Sequence, residues 1–263
     1  MSLNKNFLSL DKFIHQALYS PKTGFYMKKN PFGDKGDFIT SPLISILFSE
    51  MLSVWTVAFW QNLKCPKNIN LIELGAGNGQ MMYDMINSFK SFPEFNKSCK
   101  FYIFETSPYL KKIQKEKLKE FNVIWIKNLN EIKKNYNIFI ANEFFDALPI
   151  KQFFKINKKW MERFVALKKN NKKKFINFDS NIKKVEKKIG FKISKNQKII
   201  EYSPLGLEYL KIISKKINKT KGGLLIIDYG YLENSMKDTL MAIKKHNNSN
   251  VLNTFGNSDI THK

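Results

Sequence analysis

The hydrophobic positions change rhythm along the chain. Leu10, Phe13, Ile14, Ala17 and Leu18 fall at helical spacing, and the pattern stops at Ser20-Pro21. Residues Gly24 to Thr40 read as a loop, with Pro31, Gly33 and Gly36 set among Phe25, Tyr26, Phe32 and Phe38. Ser41-Pro42 is an N-cap and first-turn pair that predicts an apolar helix through Leu47, Met51, Trp55 and Phe59, facing the core. From Ile69 onward short apolar runs alternate with longer helical stretches. Ile69 to Leu74, Phe101 to Phe104, Val123 to Ile126 and Ile138 to Ala141 predict four buried strands, and Gln80 to Phe89 and Pro108 to Phe121 predict helices. Strands joined through helices imply parallel pairing.

Between Ile150 and Ile200 the rhythm breaks into aromatic, lysine-rich stretches such as Lys151 to Lys155 and Lys174 to Phe178, which predict an inserted antiparallel hairpin. A helix near Leu205 to Ile217 and the run Leu224 to Ile227, ending at Asp228, return the chain to the sheet as a fifth strand. Polar, Asn-rich residues with one short helical stretch follow. The fold class is therefore α/β, a doubly wound, mostly parallel, Rossmann-like sheet with an N-terminal helical region and an inserted β-hairpin. By this reading residues 1–65 form a helical cover region and 66–263 the sheet domain, with the β-rich insertion at about 150–200.

The candidate chemistry sits at strand ends. Glu73-Leu74-Gly75-Ala76-Gly77-Asn78-Gly79 joins the first strand to the helix after it, where glycine permits positive φ and close approach of the backbone to a ligand. A dinucleotide fingerprint would place its third glycine one position later, at Gln80, so this tighter spacing suits a cofactor without a pyrophosphate. Glu105 ends the second strand, where an acid can accept hydrogen bonds from both hydroxyls of a ribose. Together they predict S-adenosyl-L-methionine as the cofactor. Asn142-Glu143-Phe144-Phe145-Asp146-Ala147-Leu148-Pro149 ends the fourth strand, beside the switch point where substrates enter such sheets. Methyltransferases acting on base or amide nitrogens often carry an Asn/Asp-Pro-Pro-aromatic turn there; this chain has a carboxylate instead. Glu143 suits a cationic acceptor held through two parallel hydrogen bonds, or it is simply an acid at a helix start.

Charge changes this picture only a little. Lys plus Arg outnumber Asp plus Glu by 45 to 22, for a net +23, and all the basic residues but Arg163 are lysines. Basic chains invite a nucleic-acid partner. The lysines are scattered among abundant Asn and Ile, and arginine, the residue suited to forked contacts, is nearly absent, so compositional drift is the simpler reading. Cys65 and Cys99 stand far apart, and His15, His246 and His262 show no metal-ligand spacing, so neither a disulfide framework nor a bound metal is expected. No secretory leader or membrane-length apolar run is evident, which makes a cytoplasmic setting the default. Leu3 to Leu18 is amphipathic and poor in acids, as an organelle-targeting peptide would be, though an ordinary first helix explains it.

Asp34 to Pro42, Glu73 to Gly79, Glu105 to Pro108, Asn142 to Pro149, Ile227 to Gly230 and Asp238 to Leu240 together resemble the MidA family, which includes mitochondrial complex I assembly methyltransferases. The resemblance runs through nearly the whole chain. It implies a protein-arginine methyltransferase that forms symmetric dimethylarginine on a subunit of the respiratory NADH dehydrogenase, cytoplasmic in a bacterium and mitochondrial in a eukaryote. It places the cofactor loop on Gly75, Gly77 and Gly79 with Glu73 and Ala76, the ribose-binding acid on Glu105, and a cover loop on Gly36, Asp37 and Phe38. Glu143 and Asp146 are the candidates for the acceptor pocket. Members of the family continue past the Asp259-Ile260-Thr261-His262 motif, so the last edge strands are expected to be missing and the fifth strand to be an exposed edge prone to self-association. Two rival readings stand beside this one: an RNA methyltransferase, and an assembly scaffold without turnover.

Overall fold

The computed structural model describes residues 7–28, 31, 33, 36–37, 40–167, 172–230 and 236–262. In chain order these form β1 (Phe7–Ser9), α1 (Leu10–Tyr19), α2 (Phe25–Lys28), α3 (Ser41–Ile44) and α4 (Ile46–Asn62). The alternating region follows as β2 (Ile69–Leu74), α5 (Gln80–Phe89), α6 (Pro93–Ser98), β3 (Cys99–Phe104), α7 (Pro108–Lys117), β4 (Val123–Ile126) and β5 (Tyr136–Asn142). Next come β6 (Lys151–Ile156), β7 (Lys159–Leu167), β8 (Lys173–Asp179), α8 (Ile182–Ile189), β9 (Ile199–Tyr202), α9 (Pro204–Thr220) and β10 (Gly222–Ile227). Three short strands close the order: β11 (Met241–Lys244), β12 (Asn247–Ser249) and β13 (Asp259–Thr261). No helix of the described residues is long and apolar enough to cross a membrane.

The chain divides into two units, one holding Tyr26–Phe145 and Tyr209–Tyr229, the other the residues up to Phe25, Asp146–Glu208 and those from Gly230 on. The first unit is a five-stranded sheet in the order β10-β5-β2-β3-β4, parallel throughout. Each strand is connected to the next through helical structure, as the alternation of runs predicts. β2 is central and buried along its whole length. One face of the sheet buries Ile69, Leu71, Phe101, Ile103, Ile138 and Ile140 with α4, α5 and α6; the other buries Ile72, Leu74, Tyr102, Phe104 and Phe139 with Ile213 of α9.

One expectation about this core is corrected. Thr40 rather than Ser41 takes the N-cap position, and no single helix follows: α3 ends at Ile44, and Ser45, extended, interrupts the helix and accepts a hydrogen bond from Leu47 N on its side chain to start α4. The stripe expected to face inward does so only in its second half: Leu47 is 55% and Met51 63% exposed, Trp55 and Phe59 pack partly buried against the core, and Leu52, Val57 and Trp60 beside them are buried. α4 is apolar on every side, so periodicity could not choose its face.

The second unit centres on an antiparallel sheet in the order β1-β7-β6-β9, with β8 also paired to β7. The expected hairpin is β6 and β7, extended by strands from distant parts of the chain: Phe7 pairs with Ala166, and Phe153 with Ile200. Arg163, the only arginine, lies between the rings of Phe154 and Phe175, 4.3 and 4.6 Å from their centroids, and pairs with Asp238 at 2.6 Å. The residues after Asp228 were expected to be polar with a helical stretch; β11, β12 and β13 instead form a three-stranded antiparallel sheet. Runs of three or four residues are too short for alternation to register.

Candidate functional site

β2 runs straight into a loop that only glycine tolerates. Gly75, Gly77 and Gly79 have φ of +68°, +53° and +83°, a region that costs an L side chain roughly 1–2 kcal/mol per residue. A Cβ on Gly75 would also lie 2.8 Å from the Phe144 ring. The turn closes through Gly79 N, which donates to Ala76 O at 2.7 Å, and Asn78 Oδ1, which accepts from Gln80 N at 3.0 Å as α5 begins. Its fixed backbone sits at a helix N-terminus, where unsatisfied N–H groups favour an anionic or polar ligand.

Glu105, just past β3, is held on both oxygens. Oε1 accepts from Ser107 N at 2.8 Å, and Oε2 accepts from Gln114 Nε2 at 2.9 Å. The same Gln114 nitrogen donates to Gly77 O at 2.9 Å, while its oxygen accepts from Trp125 Nε1 at 3.0 Å. Gln114 is fully buried on α7 and ties the acid to the glycine loop. Nothing in the sequence singles it out, since a glutamine inside a helix pattern reads as a solvated position. Burial raises the Glu105 carboxyl above its ordinary range, and the Ser107 and Gln114 hydrogen bonds pull it back. A carboxylate so fixed can accept from a vicinal diol.

Glu143 follows β5, and its amide donates to Ile227 O at 2.9 Å, which pins it beside the end of β10. Its φ is +49°, unusual for a residue with a side chain and a mark of local strain. No helix starts there, so the alternative reading of Glu143 as a helix-start acid finds no support. Burial raises its carboxyl, while hydrogen bonds from Ser41, Asn142 and Tyr229 lower it and the nearby Asp228 raises it further. Ser41 N and Oγ each lie 3.4 Å from Glu143 Oε1, long contacts that a stronger donor would displace. Asp228, which ends β10, accepts from Phe145 N at 3.1 Å and Tyr229 N at 2.9 Å. In the sequence Asp228 reads only as a strand end; its placement beside Glu143 needs the β10-β5 pairing. Asp146 belongs to the other unit, where its Oδ2 accepts from Thr261 Oγ1 at 3.0 Å.

Four neighbouring strands, β10, β5, β2 and β3, thus each deliver a carboxylate at their C-terminal ends: Asp228, Glu143, Glu73 and Glu105. Glu73 is 4% exposed and its Oε2 has no hydrogen-bond partner among the described residues. Burial first, and the nearby Glu105 second, push its pKa up to about 8. An orphaned buried carboxyl beside a second acid awaits a cation or a donor. The donors and acceptors of this edge match S-adenosyl-L-methionine, which carries a ribose diol, a carboxylate and two cationic centres.

Of the expected cover loop, Gly36 donates from its amide to Gly33 O and Asp37 to Pro31 O, both at 2.7 Å, and Asp37 is buried. Phe38 lies outside the described residues. The chain before this loop is fastened to the site's flank, because Ser107 Oγ donates to Tyr26 O at 2.7 Å.

A family model described as "Putative S-adenosyl-L-methionine-dependent methyltransferase" matches residues 51–263. The mitochondrial protein arginine methyltransferase NDUFAF7 of Xenopus laevis is 30% identical over 280 residues, which cover 97% of this chain and 63% of that protein. Its human counterpart is 28% identical with the same coverage, and the Drosophila melanogaster homolog is 25% identical over 95% of this chain and 63% of its own. This chain therefore spans a little under two thirds of these relatives. Among solved structures, a Burkholderia thailandensis protein bound to S-adenosyl-homocysteine superposes with a TM-score of 0.79 at 20% identity, covering 98% of this chain and 69% of that one. That likeness shows the fold.

Proposed function

The chain belongs to the S-adenosyl-L-methionine-dependent methyltransferase family whose model spans residues 51–263, and from that premise we propose that it methylates a guanidinium nitrogen of an arginine in a protein. The observation that carries the acceptor class is the row of carboxylates along one sheet edge of a chain with net charge +23. Carboxyl groups gathered there, against the charge of the whole, offer hydrogen-bond acceptors and, where ionised, negative charge to a cationic cofactor and a cationic acceptor. The arginine methyltransferase names of the relatives support the same choice.

In this reading the glycine loop from Gly75 to Gly79, with Ala76, receives the methionyl part of the cofactor. Glu105 accepts from the ribose hydroxyls, and Glu73 faces positive charge. Gly36 and Asp37 belong to the loop that covers the site. The cofactor supplies a methyl group on a sulfonium, so the protein's task is alignment. Glu143 accepts two parallel hydrogen bonds from the guanidinium and turns one nitrogen toward that methyl. Transfer of the methyl, with its carbon–sulfur bond breaking to leave a neutral thioether, would leave the acceptor nitrogen with a proton to shed, and the half-buried Glu143 carboxyl, whose pKa burial raises, is suited to take it. Asp228 sets the field around Glu143; Asp146, the second candidate acid, lies in the other unit and carries no role in this reading. Symmetric dimethylarginine on a respiratory NADH dehydrogenase subunit, implied by the family resemblance, is the first product to seek.

The test is acid hydrolysis of protein methylated with tritiated cofactor, which identifies the methylated residue. Methylarginine is expected. Glu143→Gln is expected to slow the reaction at least about a hundredfold while leaving cofactor affinity within about threefold. Methyllysine or a methylated nucleoside as the product, or full activity in the variant, contradicts the reading.

A further inference from the structure

The reading of the lysines as even drift holds for most of the chain and fails for one stretch. Residues 155–198 contain fifteen lysines and Arg163 against only Glu162, Asp179 and Glu186, a net of +13 in 44 residues, whereas the other 219 carry +10. All of it falls in the antiparallel unit. Glu162 is already bound to Lys151 at 2.5 Å, and Glu186 accepts from the Ile193 amide at 2.9 Å. Among the described residues no lysine of this stretch has a carboxylate within 4.0 Å.

The charge is presented by folded elements. α8 is capped by Asn181, whose side chain accepts from Lys183 N, and ended by Gly190 in a left-handed conformation. It buries Val185 and leaves Lys183, Lys184, Lys187 and Lys188 exposed. Those four positions repeat at i, i+1, i+4 and i+5, so they form one outward face. The β6-β7 hairpin adds Lys158 and Lys159, both exposed, and Lys155 near the end of β6 holds the lysine-bearing stretch before β9, its N donating to Lys198 O and its Nζ to Lys195 O, both near 2.8 Å. Ser180 N donates to Trp160 O at 2.8 Å, joining the start of α8 to the same sheet end. Phe191, just beyond α8, is 65% exposed, and Phe178 is 38% exposed.

We propose that this ridge, built on α8 and the β6-β7 turn, is a docking surface for the phosphate backbone of a single-stranded nucleic acid. It is separate from the methyl-transfer reading and does not rest on it. Protein–protein interface cores are depleted of lysine and rich in apolar and aromatic area, which this face is not. An interfacial membrane helix offers its apolar side to the lipid, whereas α8 turns its apolar side inward. Unpaired lysines suit phosphates contacted as point charges without base readout. The exposed ring of Phe191, next to the end of α8, gives a base a surface to stack on.

Fluorescence anisotropy with a labelled oligouridine RNA, across a salt series, tests this on the whole chain. The parent is expected to bind with a log–log salt slope of at least about −3, corresponding to at least four phosphate contacts at roughly 0.7 each. Changing Lys183, Lys184, Lys187 and Lys188 to Gln should weaken binding at least about tenfold and flatten the slope by about 3. A second variant removes the same charge at exposed lysines elsewhere, Lys64, Lys67, Lys97 and Lys100, and should bind within about twofold of the parent. Equal loss in both variants means net charge alone and overturns the proposal. So does an α8 variant that binds like the parent, an absence of RNA binding at low salt, or binding only to phosphatidylserine vesicles. Far-UV circular dichroism confirms that α8 stays folded in the variant.

Discussion

Glu73 is the residue whose environment has the most direct consequence for stability. Its carboxyl titrates near 8 in the folded chain against 4.5 for a free glutamate, because ionising it inside the core beside Glu105 is unfavourable. Between those two pH values the native state holds a proton that the unfolded chain has lost. Stability is therefore full below about pH 4.5 and declines as pH rises through 8. Glu105 and Glu143 shift the same way and add to the trend. Glu73→Gln removes its own share, so urea denaturation should show the variant gaining on the parent by on the order of 3 kcal/mol between pH 5 and pH 9. A constant difference across that range would mean that Glu73 is ionised in the native state. The residues of this site were unevenly legible. Glycines and strand-end acids announce themselves by type and position. Gln114 does not, because its role comes from burial against Glu105 and Gly77, which are distant in sequence.

At the scale of elements, α4 separates what pattern can decide from what it cannot. The structure turns Leu52 inward and Met51 outward. Leu52→Ala should then cost about 2–5 kcal/mol by cavity formation, and Met51→Ala should fall within about 0.5 kcal/mol of the parent. Equilibrium denaturation in dilute solution measures both, and reversed costs would restore the inward stripe read from the sequence. The strands β2 to β5 and β10 and the helices α5, α7 and α9 were legible because apolar runs and amphipathic helices alternate there with clear turn signals. β1 and β9 were not, since their strand character depends on pairing with Phe164 to Ala166 and with Phe153 to Phe154. The strands from Met241 onward were too short to leave a pattern.

For the molecule as a whole, β10 has a strand neighbour on one side only among the described residues, with Ile226 45% exposed. Leu47, Met51 and Val54 lie exposed at helical spacing along α4. An open edge and an apolar stripe are both surfaces that proteins tend to cover. Sedimentation equilibrium should accordingly show concentration-dependent self-association in the micromolar range, and Met51→Lys with Val54→Lys should reduce it. A monomer at every concentration would mean that the stripe is tolerated as it stands.

The central claim is that the loop from Gly75 to Gly79 and the acids along its sheet edge hold S-adenosyl-L-methionine, and calorimetric titration of the folded chain tests it most directly. Binding with a micromolar Kd is expected, and Gly77→Val, which forces a branched side chain into a φ of +53°, should weaken it at least about a hundredfold. No heat of binding from a folded parent chain, or a valine variant that binds as tightly, would contradict the account.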